Sequence, residues 1–229
     1  MSTIETDVSA PDLRRAALIT IDTQQDTLDG QPLEIAGTSA ALPNIIRLCQ
    51  AFRDAHRPIV HIVRLYRPDG TNAEPIRREL VRGRTPVLRP GTPGRSLAPG
   101  LITPKAAELD DDLLLAGGIQ QLGEDEFVIY KPRWGAFFCT PLEDHLRSLG
   151  AIDSLVFVGC NFPNCPRASI YEASERDYRI ALVEDAVSGL YGRGRNEMLN
   201  IGVEVLTTAE LLRAMSSTVT ETTQSRGTA

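Results

Sequence analysis

Residues 155–189 read LVFVGCNFPNCPRASIYEASERDYRIALVEDAVSG, and this stretch decides the fold. It starts with an apolar run, 155–158, and passes through a loop that contains Pro163, where a regular helix cannot continue. From Cys165 the apolar residues follow helical spacing, and a second apolar run covers 180–183. Strand, tight loop, helix and strand in this order predict a βαβ unit with parallel strands and a right-handed crossover.

Cys165 lies where the first strand of this unit meets the helix. In open α/β sheets, ligands bind at the carboxyl ends of the strands, next to the amino ends of the helices. The helix dipole favours the thiolate of a cysteine at that place, so Cys165 is a candidate nucleophile. The alternative is a small buried side chain without a chemical role, which we assign to Cys49, Cys139 and Cys160.

The composition is that of a cytoplasmic protein with one α/β domain. Of the 229 residues, 42% are hydrophobic and 24% are charged, and the net charge of −6 argues against nucleic acid or an anionic membrane as partner. No run is long enough to span a membrane, the N-terminus lacks a secretion signal, and four cysteines without a regular framework fit a reducing compartment. We expect a flexible segment at 1–13, one folded domain at 14–215 and a disordered tail at 216–229.

Two further ionisable residues follow apolar strands. Asp22 comes directly after the run 16–21, and Lys131 comes directly after the run 126–130. Because the carboxyl ends of parallel strands share one edge of the sheet, we expect Asp22, Lys131 and Cys165 to converge there. A lysine would hold the acid ionised and place positive charge near a developing oxyanion. The alternatives are a turn or capping role for Asp22 and a solvated charge for Lys131.

The sequence does not decide the roles of two segments between the strands, 77–95 and 99–125. The stretch 77–95 is rich in arginine, and it forms either a solvated or subunit-facing loop or a positive rim that holds a substrate carboxylate. If the rim binds substrate, Arg64 is the first arginine we expect to act, because it directly follows the apolar run 59–63. The insertion 99–125 has no role that the sequence indicates, and His61 is expected to be a satisfied core histidine.

Four motifs, taken in their order and spacing, resemble those of the isochorismatase-like cysteine hydrolases over about residues 14–212. They are ITIDTQQD at 19–26, GTPG at 91–94, KPRWGAFFCTPL at 131–142, and VGCNFPNC at 158–165 followed by VEDAVSG. The resemblance implies a three-layer α/β/α sandwich of Rossmann type on a six-stranded parallel sheet, which makes the expected domain 14–215 an isochorismatase-like hydrolase domain.

The same resemblance implies the site residues. The catalytic triad would be Asp22, Lys131 and Cys165. A cis peptide bond would join Cys160 to Asn161, and the backbone N–H groups of Asn161 and Cys165 would form the oxyanion hole. The nicotinamidase branch of the family binds a metal through an Asp and histidines after the second strand. Residues 64–70 here read RLYRPDG and do not match that pattern, and neither do the three histidines, so we expect no metal and no cofactor.

The predicted function is that of a hydrolase acting on C–N bonds other than peptide bonds. A cysteine amidohydrolase of this kind cleaves a small amide, carbamoyl or ureido substrate through a thioester and releases ammonia or an amine. One alternative is an isochorismatase-type enol-ether hydrolase, which does not need the cysteine, and another is a catalytically silent binding or assembly module. The family also implies a homodimer or homotetramer. The residues expected at the substrate, of which the aromatic ones are alternatively plain core, are Gln24, Arg64, Trp134, Phe137 and Tyr171.

Overall fold

A seven-stranded sheet lies at the centre of the protein, with strand order β3-β4-β2-β1-β5-β6-β7. The computed structural model describes residues 8–103 and 105–225. The strands are β1 (Ala16–Ile21), β2 (Ile59–Val63), β3 (Ile119–Gly123), β4 (Glu126–Tyr130), β5 (Ser154–Gly159), β6 (Arg179–Val187) and β7 (Glu204–Leu206). The α-helices are α1 (Thr38–Asp54), α2 (Arg78–Arg82), α3 (Asp111–Leu115), α4 (Leu142–Ser148), α5 (Cys165–Ser174), α6 (Gly192–Asn200) and α7 (Thr208–Ser225).

The central strands β1, β2 and β5 are buried at every position, because helices cover both faces of the sheet. On one face Leu18 packs in a cluster with apolar residues of α1 and α7, such as Phe52 and Leu211. On the other face Ile19 packs with residues of α4 and α5, such as Leu146 and Ile170. The predicted three-layer α/β/α sandwich is therefore confirmed. Along the described parts of the chain, no helix is long and apolar enough to cross a lipid bilayer.

The sheet has one strand more than the sequence predicted. Six strands run parallel, in the order β4-β2-β1-β5-β6-β7, and β3 pairs with β4 in the antiparallel direction at the edge. This extra strand lies in the insertion 99–125 and turns into β4 through Glu124 and Asp125. The sequence did not indicate this strand because an edge strand of a hairpin is only half buried and so has no long apolar run. Ile119–Gly123 contains two glutamines and a glycine.

The C-terminal helix extends further than the sequence indicated. We expected disorder from residue 216, whereas α7 continues to Ser225. Leu211 and Met215 are buried in the core cluster that also contains residues of α1, so the first turns of α7 are anchored and the helix can propagate from them. Residues 226–229 of the expected tail, and residues 1–7 of the expected N-terminal segment, lie outside the described residues. Residues 8–12 are described, and Asp12 caps a short 3₁₀ helix at Leu13–Arg15.

Gly159 ends β5 in close contact with β1. Its φ is +113°, and an added Cβ would overlap the carbonyl oxygen of Ile21 on the neighbouring strand. The next residue, Cys160, donates its backbone N–H to that same carbonyl oxygen at 2.9 Å. The loop after β5 therefore starts directly beside the end of β1, where Asp22 follows Ile21.

We expect Gly159→Ala to lower the free energy of unfolding by at least ~3 kcal/mol, because it adds backbone strain and a clash that no side chain can relieve. Urea denaturation measures this change. The matched control is Gly192→Ala at the start of α6, where φ is not positive and a Cβ meets no atom within 4 Å. That control should be neutral or stabilise by up to ~1 kcal/mol. Equal stabilities for the two variants would contradict the close contact.

Candidate active site

Three strand ends bring Asp22, Lys131 and Cys165 together. Asp22 follows β1 and donates its backbone N–H to Ile62 of β2 at 2.9 Å, and Lys131 follows β4 and donates its backbone N–H to Val63 at 3.0 Å. The Nζ of Lys131 donates to Oδ2 of Asp22 at 2.9 Å. Cys165 is the first residue of α5 and lines one pocket together with Asp22, while Lys131 lies behind Asp22.

Lys131 is fully buried and stays protonated. Burial is the largest single effect and lowers the pKa of its amine, but the charge of Asp22, the ionised form of Cys165 and the hydrogen bond to Asp22 together raise the pKa by more, so the net result is a raised pKa. Besides Asp22, the ammonium donates to the backbone carbonyl of Arg133 at 3.2 Å. A buried ammonium with these partners fixes the orientation of the Asp22 carboxylate.

The thiol of Cys165 is protonated at neutral pH. Burial raises its pKa to about 12, the negative charge of Asp22 acts in the same direction, and the positive charges of Lys131 and Arg64 only partly oppose them. The sequence led us to expect that the helix dipole favours the thiolate, whereas burial and the charge of Asp22 shift the pKa of Cys165 in the opposite direction. The second oxygen of Asp22, Oδ1, is buried without a hydrogen-bond partner in the described structure. It is a free acceptor at the wall of the pocket.

Two backbone N–H groups beside the thiol are also free. The peptide bond between Cys160 and Asn161 is cis. The N–H groups of Asn161 and Cys165 donate to no acceptor among the described residues, and both residues line the pocket. Pro166 follows in the first turn of α5, where its missing N–H leaves no hydrogen bond unmade. The pocket thus has a nucleophile, a free carboxylate oxygen and two unpaired N–H donors.

The pocket is small and loops form most of its walls. It encloses about 330 Å³ out to its open mouth. Among the expected substrate residues, Arg64 and Trp134 line it. Arg77, from the arginine-rich stretch that the sequence offered as a rim, also lines it. The sequence did not indicate the other wall residues, since they come from loops whose positions depend on tertiary contacts: Thr27, Leu33, Ile35, Tyr66 and Leu88.

Gln24 lies outside the pocket and holds the loops around it. It is fully buried, and its amide nitrogen donates to the backbone carbonyls of Arg64 at 2.9 Å and Arg95 at 2.6 Å. Its amide oxygen accepts the N–H of Arg64 at 2.8 Å. Two residues further on, Asp26 accepts the backbone N–H of Leu88 at 2.6 Å, and Gly94 packs so closely on Asp26 that a Cβ would overlap it. Through these hydrogen bonds and this close contact, the motifs IDTQQD and GTPG hold the arginine-rich loop in place beside the site.

The structure places the other candidates as follows. The guanidinium of Arg64 is buried and donates to Glu74 at 2.6 Å, so its charge is already paired. Phe137 packs inside the core on the α4 and α5 side, and Tyr171 is 38% exposed and does not line the pocket. His61 lies within the sheet, where its ring bonds to Thr20 and Glu126 at 2.8 Å each, as a satisfied core histidine does.

The cysteines differ from each other more than the sequence indicated. Cys49 and Cys160 are fully buried, and burial raises the pKa of each thiol to about 12. Cys139, which we expected to be buried, is exposed, and it lies in a loop with a φ of +52°. No group of three His, Cys, Asp or Glu side chains is placed to hold a metal ion within residues 8–103 and 105–225.

Comparisons with known proteins agree with this geometry. The family model of the isochorismatase domain matches residues 16–210. A probable inactive nicotinamidase of Arabidopsis thaliana is 29% identical over 205 residues, which cover 86% of this chain and 94% of the relative. A maleamate amidohydrolase of Pseudomonas putida is 29% identical over 182 residues, which cover 76% of this chain and 72% of the relative. The crystal structure of an isochorismatase family protein from Desulfovibrio vulgaris is similar with a TM-score of 0.74 and 28% identity, over 89% of this chain and 99% of that one.

We expect Asp22→Asn to lower the pKa of Cys165 by ~1–3 units, because the variant removes a negative charge and leaves the ammonium of Lys131 as the nearest charge to the thiol. The rate at which iodoacetamide alkylates Cys165 at fixed pH values between 6 and 10, in a Cys139→Ser background, measures this change, because well below the pKa this rate is proportional to the thiolate fraction. In that background Cys49 and Cys160 stay protonated over the range. The control Asp29→Asn removes an exposed carboxylate and should leave the titration of Cys165 unchanged. An unchanged or higher pKa in Asp22→Asn would contradict the coupling.

Proposed function

This chain belongs to the isochorismatase family, and from that membership we propose that it is a cysteine amidohydrolase. The substrate is a small amide, carbamoyl or ureido compound, and the reaction releases ammonia or an amine through a thioester. One observation carries the proposal: the thiol of Cys165 and the free Oδ1 of Asp22 line the same small pocket, with the ammonium of Lys131 directly behind. The name of the maleamate amidohydrolase relative fits C–N bond hydrolysis.

In the first half of the reaction, Oδ1 of Asp22 accepts the thiol proton of Cys165 as the sulfur attacks the substrate carbonyl. The transfer needs the substrate in place, because burial holds the thiol protonated at rest. The carbonyl oxygen becomes an oxyanion, which the N–H groups of Asn161 and Cys165 stabilise by hydrogen bonds. Neither N–H group has an acceptor among the described residues, which supports this role.

The tetrahedral intermediate then collapses. Asp22 returns the proton to the departing nitrogen, the C–N bond breaks, and ammonia or an amine leaves while the acyl group stays on Cys165 as a thioester. A water molecule, which gives a proton to Asp22, attacks the thioester through a second oxyanion. The carboxylic or carbamic acid leaves, and the proton on Asp22 passes back to the sulfur. The bonds and protons balance without any other reactant.

Lys131 acts by its charge. It fixes Asp22 through Oδ2, which leaves Oδ1 free for the proton. Its ammonium also stabilises the thiolate of Cys165 as it forms, and the positive charge of Arg64 adds to that effect. In a buried site with low dielectric, such fixed charges stabilise developing negative charge more than they would in water.

Two other functions remain as alternatives. An enol-ether hydrolase of the isochorismatase type does not need a cysteine nucleophile, so the paired Asp22 and Cys165 favour the amidohydrolase. A catalytically silent binding module is the second alternative, and the name of the Arabidopsis relative, a probable inactive nicotinamidase, supports it. The convergence of Asp22, Lys131 and Cys165 supports an active enzyme instead.

We expect Cys165→Ala to lower the turnover of amides and ureides by at least ~10³-fold while the fold stays intact, because the covalent route is lost. Ammonia release from a panel of small amides, carbamoyl amines and ureido acids measures this effect. The control is Cys139→Ser, which removes an exposed thiol and should retain the wild-type rate.

Activity above a tenth of the wild-type rate in Cys165→Ala would rule out the thioester route. If the wild-type protein releases no ammonia from the whole panel, the amidohydrolase proposal is wrong. Cleavage of an enol ether by the same protein would then favour the first alternative, and the absence of both activities would favour the silent module.

A further inference from the structure

We propose that the substrate carries a carboxylate at the end opposite the scissile amide and that Arg77 binds it. This inference rests on the proposed function, since it names the substrate class of the same pocket. It assigns a specificity role to one arginine of the stretch 77–95, whose function the sequence left open.

Among the described arginines of its loop, Arg77 and the exposed Arg84 have side chains without a hydrogen bond or ion pair, and of these two only Arg77 lines the pocket. It lines the pocket together with Cys165, and its side chain makes no hydrogen bond or ion pair with the described residues. Four other arginines in the stretch are bound to carbonyl oxygens or a carboxylate, which explains how the loop is held together. These pairs are Arg78 with Ala73, Arg82 with Asp69, Arg89 with Val81, and Arg95 with Asp111.

Arg64, the arginine that we first expected to hold a substrate carboxylate, instead makes its hydrogen bonds within the protein. One amino group donates to Glu74 at 2.6 Å and to the hydroxyl of Tyr66 at 3.1 Å, and the other donates to the carbonyl of Lys131 at 3.4 Å. Only 3% of Arg64 is exposed. Releasing it would leave the carboxylate of Glu74 buried without a counter-ion, which is costly. Arg64 therefore stabilises the wall of the pocket.

The charged residues that line the pocket are Arg64, Arg77 and Asp22, which leaves an excess of one positive charge. Asp22 is paired with Lys131, and Arg64 with Glu74, while Arg77 has no acidic partner among the described residues. The whole chain has a net charge of −6, so this local excess runs against the overall charge. A pocket of this charge attracts a small anion and favours it over a neutral compound of the same shape.

Tyr66 gives the carboxylate a second donor. It is almost fully buried, lines the pocket, and accepts a hydrogen bond from Arg64, so its own O–H remains free to donate. The guanidinium of Arg77 is close enough to Tyr66 to act electrostatically on its phenol. A carboxylate between Arg77 and Tyr66 would receive charge-assisted hydrogen bonds from both. Because Cys165 and Arg77 line the same small pocket, the substrate is a short chain with an amide at one end and a carboxylate at the other.

Two amides of similar shape test the inference. Succinamate carries the carboxylate, and 4-methylpentanamide replaces that carboxylate by an isopropyl group of the same branching. We expect kcat/KM of the wild-type protein to be higher for succinamate. In Arg77→Ala the KM for succinamate should rise ~10- to 100-fold with little change in kcat, and the kinetics of 4-methylpentanamide should stay within about twofold.

Further variants separate charge, geometry and folding. Arg77→Lys keeps the charge but loses the planar fork, so it should recover part of the affinity for succinamate. The control Arg84→Ala removes the same charge from an exposed residue of the same loop and should leave both substrates unaffected. Equal losses for both amides in Arg77→Ala, or equal losses in Arg84→Ala, would overturn the assignment of Arg77.

A binding measurement distinguishes failure of this inference from failure of the proposed function. Calorimetry with the Cys165→Ala protein and succinamate needs no turnover, and Arg77→Ala in that background should weaken binding ~10- to 100-fold. Binding that depends on Arg77, without hydrolysis by the wild-type protein, would refute the hydrolase and support the anion site. Hydrolysis of both amides with the same kcat/KM would support the hydrolase and refute the anion site.

Discussion

The buried ion pair between Lys131 and Asp22 is the interaction on which the site depends. Removing two charges from water is costly, so the pair is stable only where the backbone fixes both partners. Here Asp22 and Lys131 are both hydrogen-bonded through their backbone to the end of β2, the strand between β1 and β4. Because Oδ2 of Asp22 accepts the ammonium at 2.9 Å, Oδ1 is left as the one oxygen of that carboxylate available to the pocket.

The loops around the Lys131–Asp22 pair form the walls of a pocket at the carboxyl edge of the sheet. Gln24 and Asp26, which follow Asp22 in the same motif, bind the backbone of the loops that carry Arg64 and Leu88. On the other side, α5 holds the loop after Lys131, since Ser169 accepts the N–H of Ala136 at 3.0 Å. The helix that begins with Cys165 and the loop that follows Lys131 are thus locked together. The result is a thiol so well buried that its pKa rises to about 12, which is why the proposed reaction includes proton transfer to Asp22.

The features that depend on local pattern were predictable from the sequence. Apolar runs of four to six residues predicted β1, β2, β4 and β5, and the rule that parallel strands share one carboxyl edge placed Asp22, Lys131 and Cys165 together. Features that depend on distant contacts were not predictable. The half-buried β3 has no clear pattern, the exposure of Cys139 follows from the turn it occupies, and burial of Cys165 reversed the expected direction of its pKa shift. The choice between Arg64 and Arg77 depended on Glu74, whose pairing no spacing indicates.

The central claim is that Cys165 carries the acyl group during turnover. Rapid acid quench of the protein in excess over an amide that it hydrolyses, followed by intact-mass measurement, tests this claim most directly. The account predicts a transient mass increase equal to the acyl group, which peptide mapping places on Cys165. Turnover of the same amide without any adduct across the quench times, or an adduct on another residue, would contradict it.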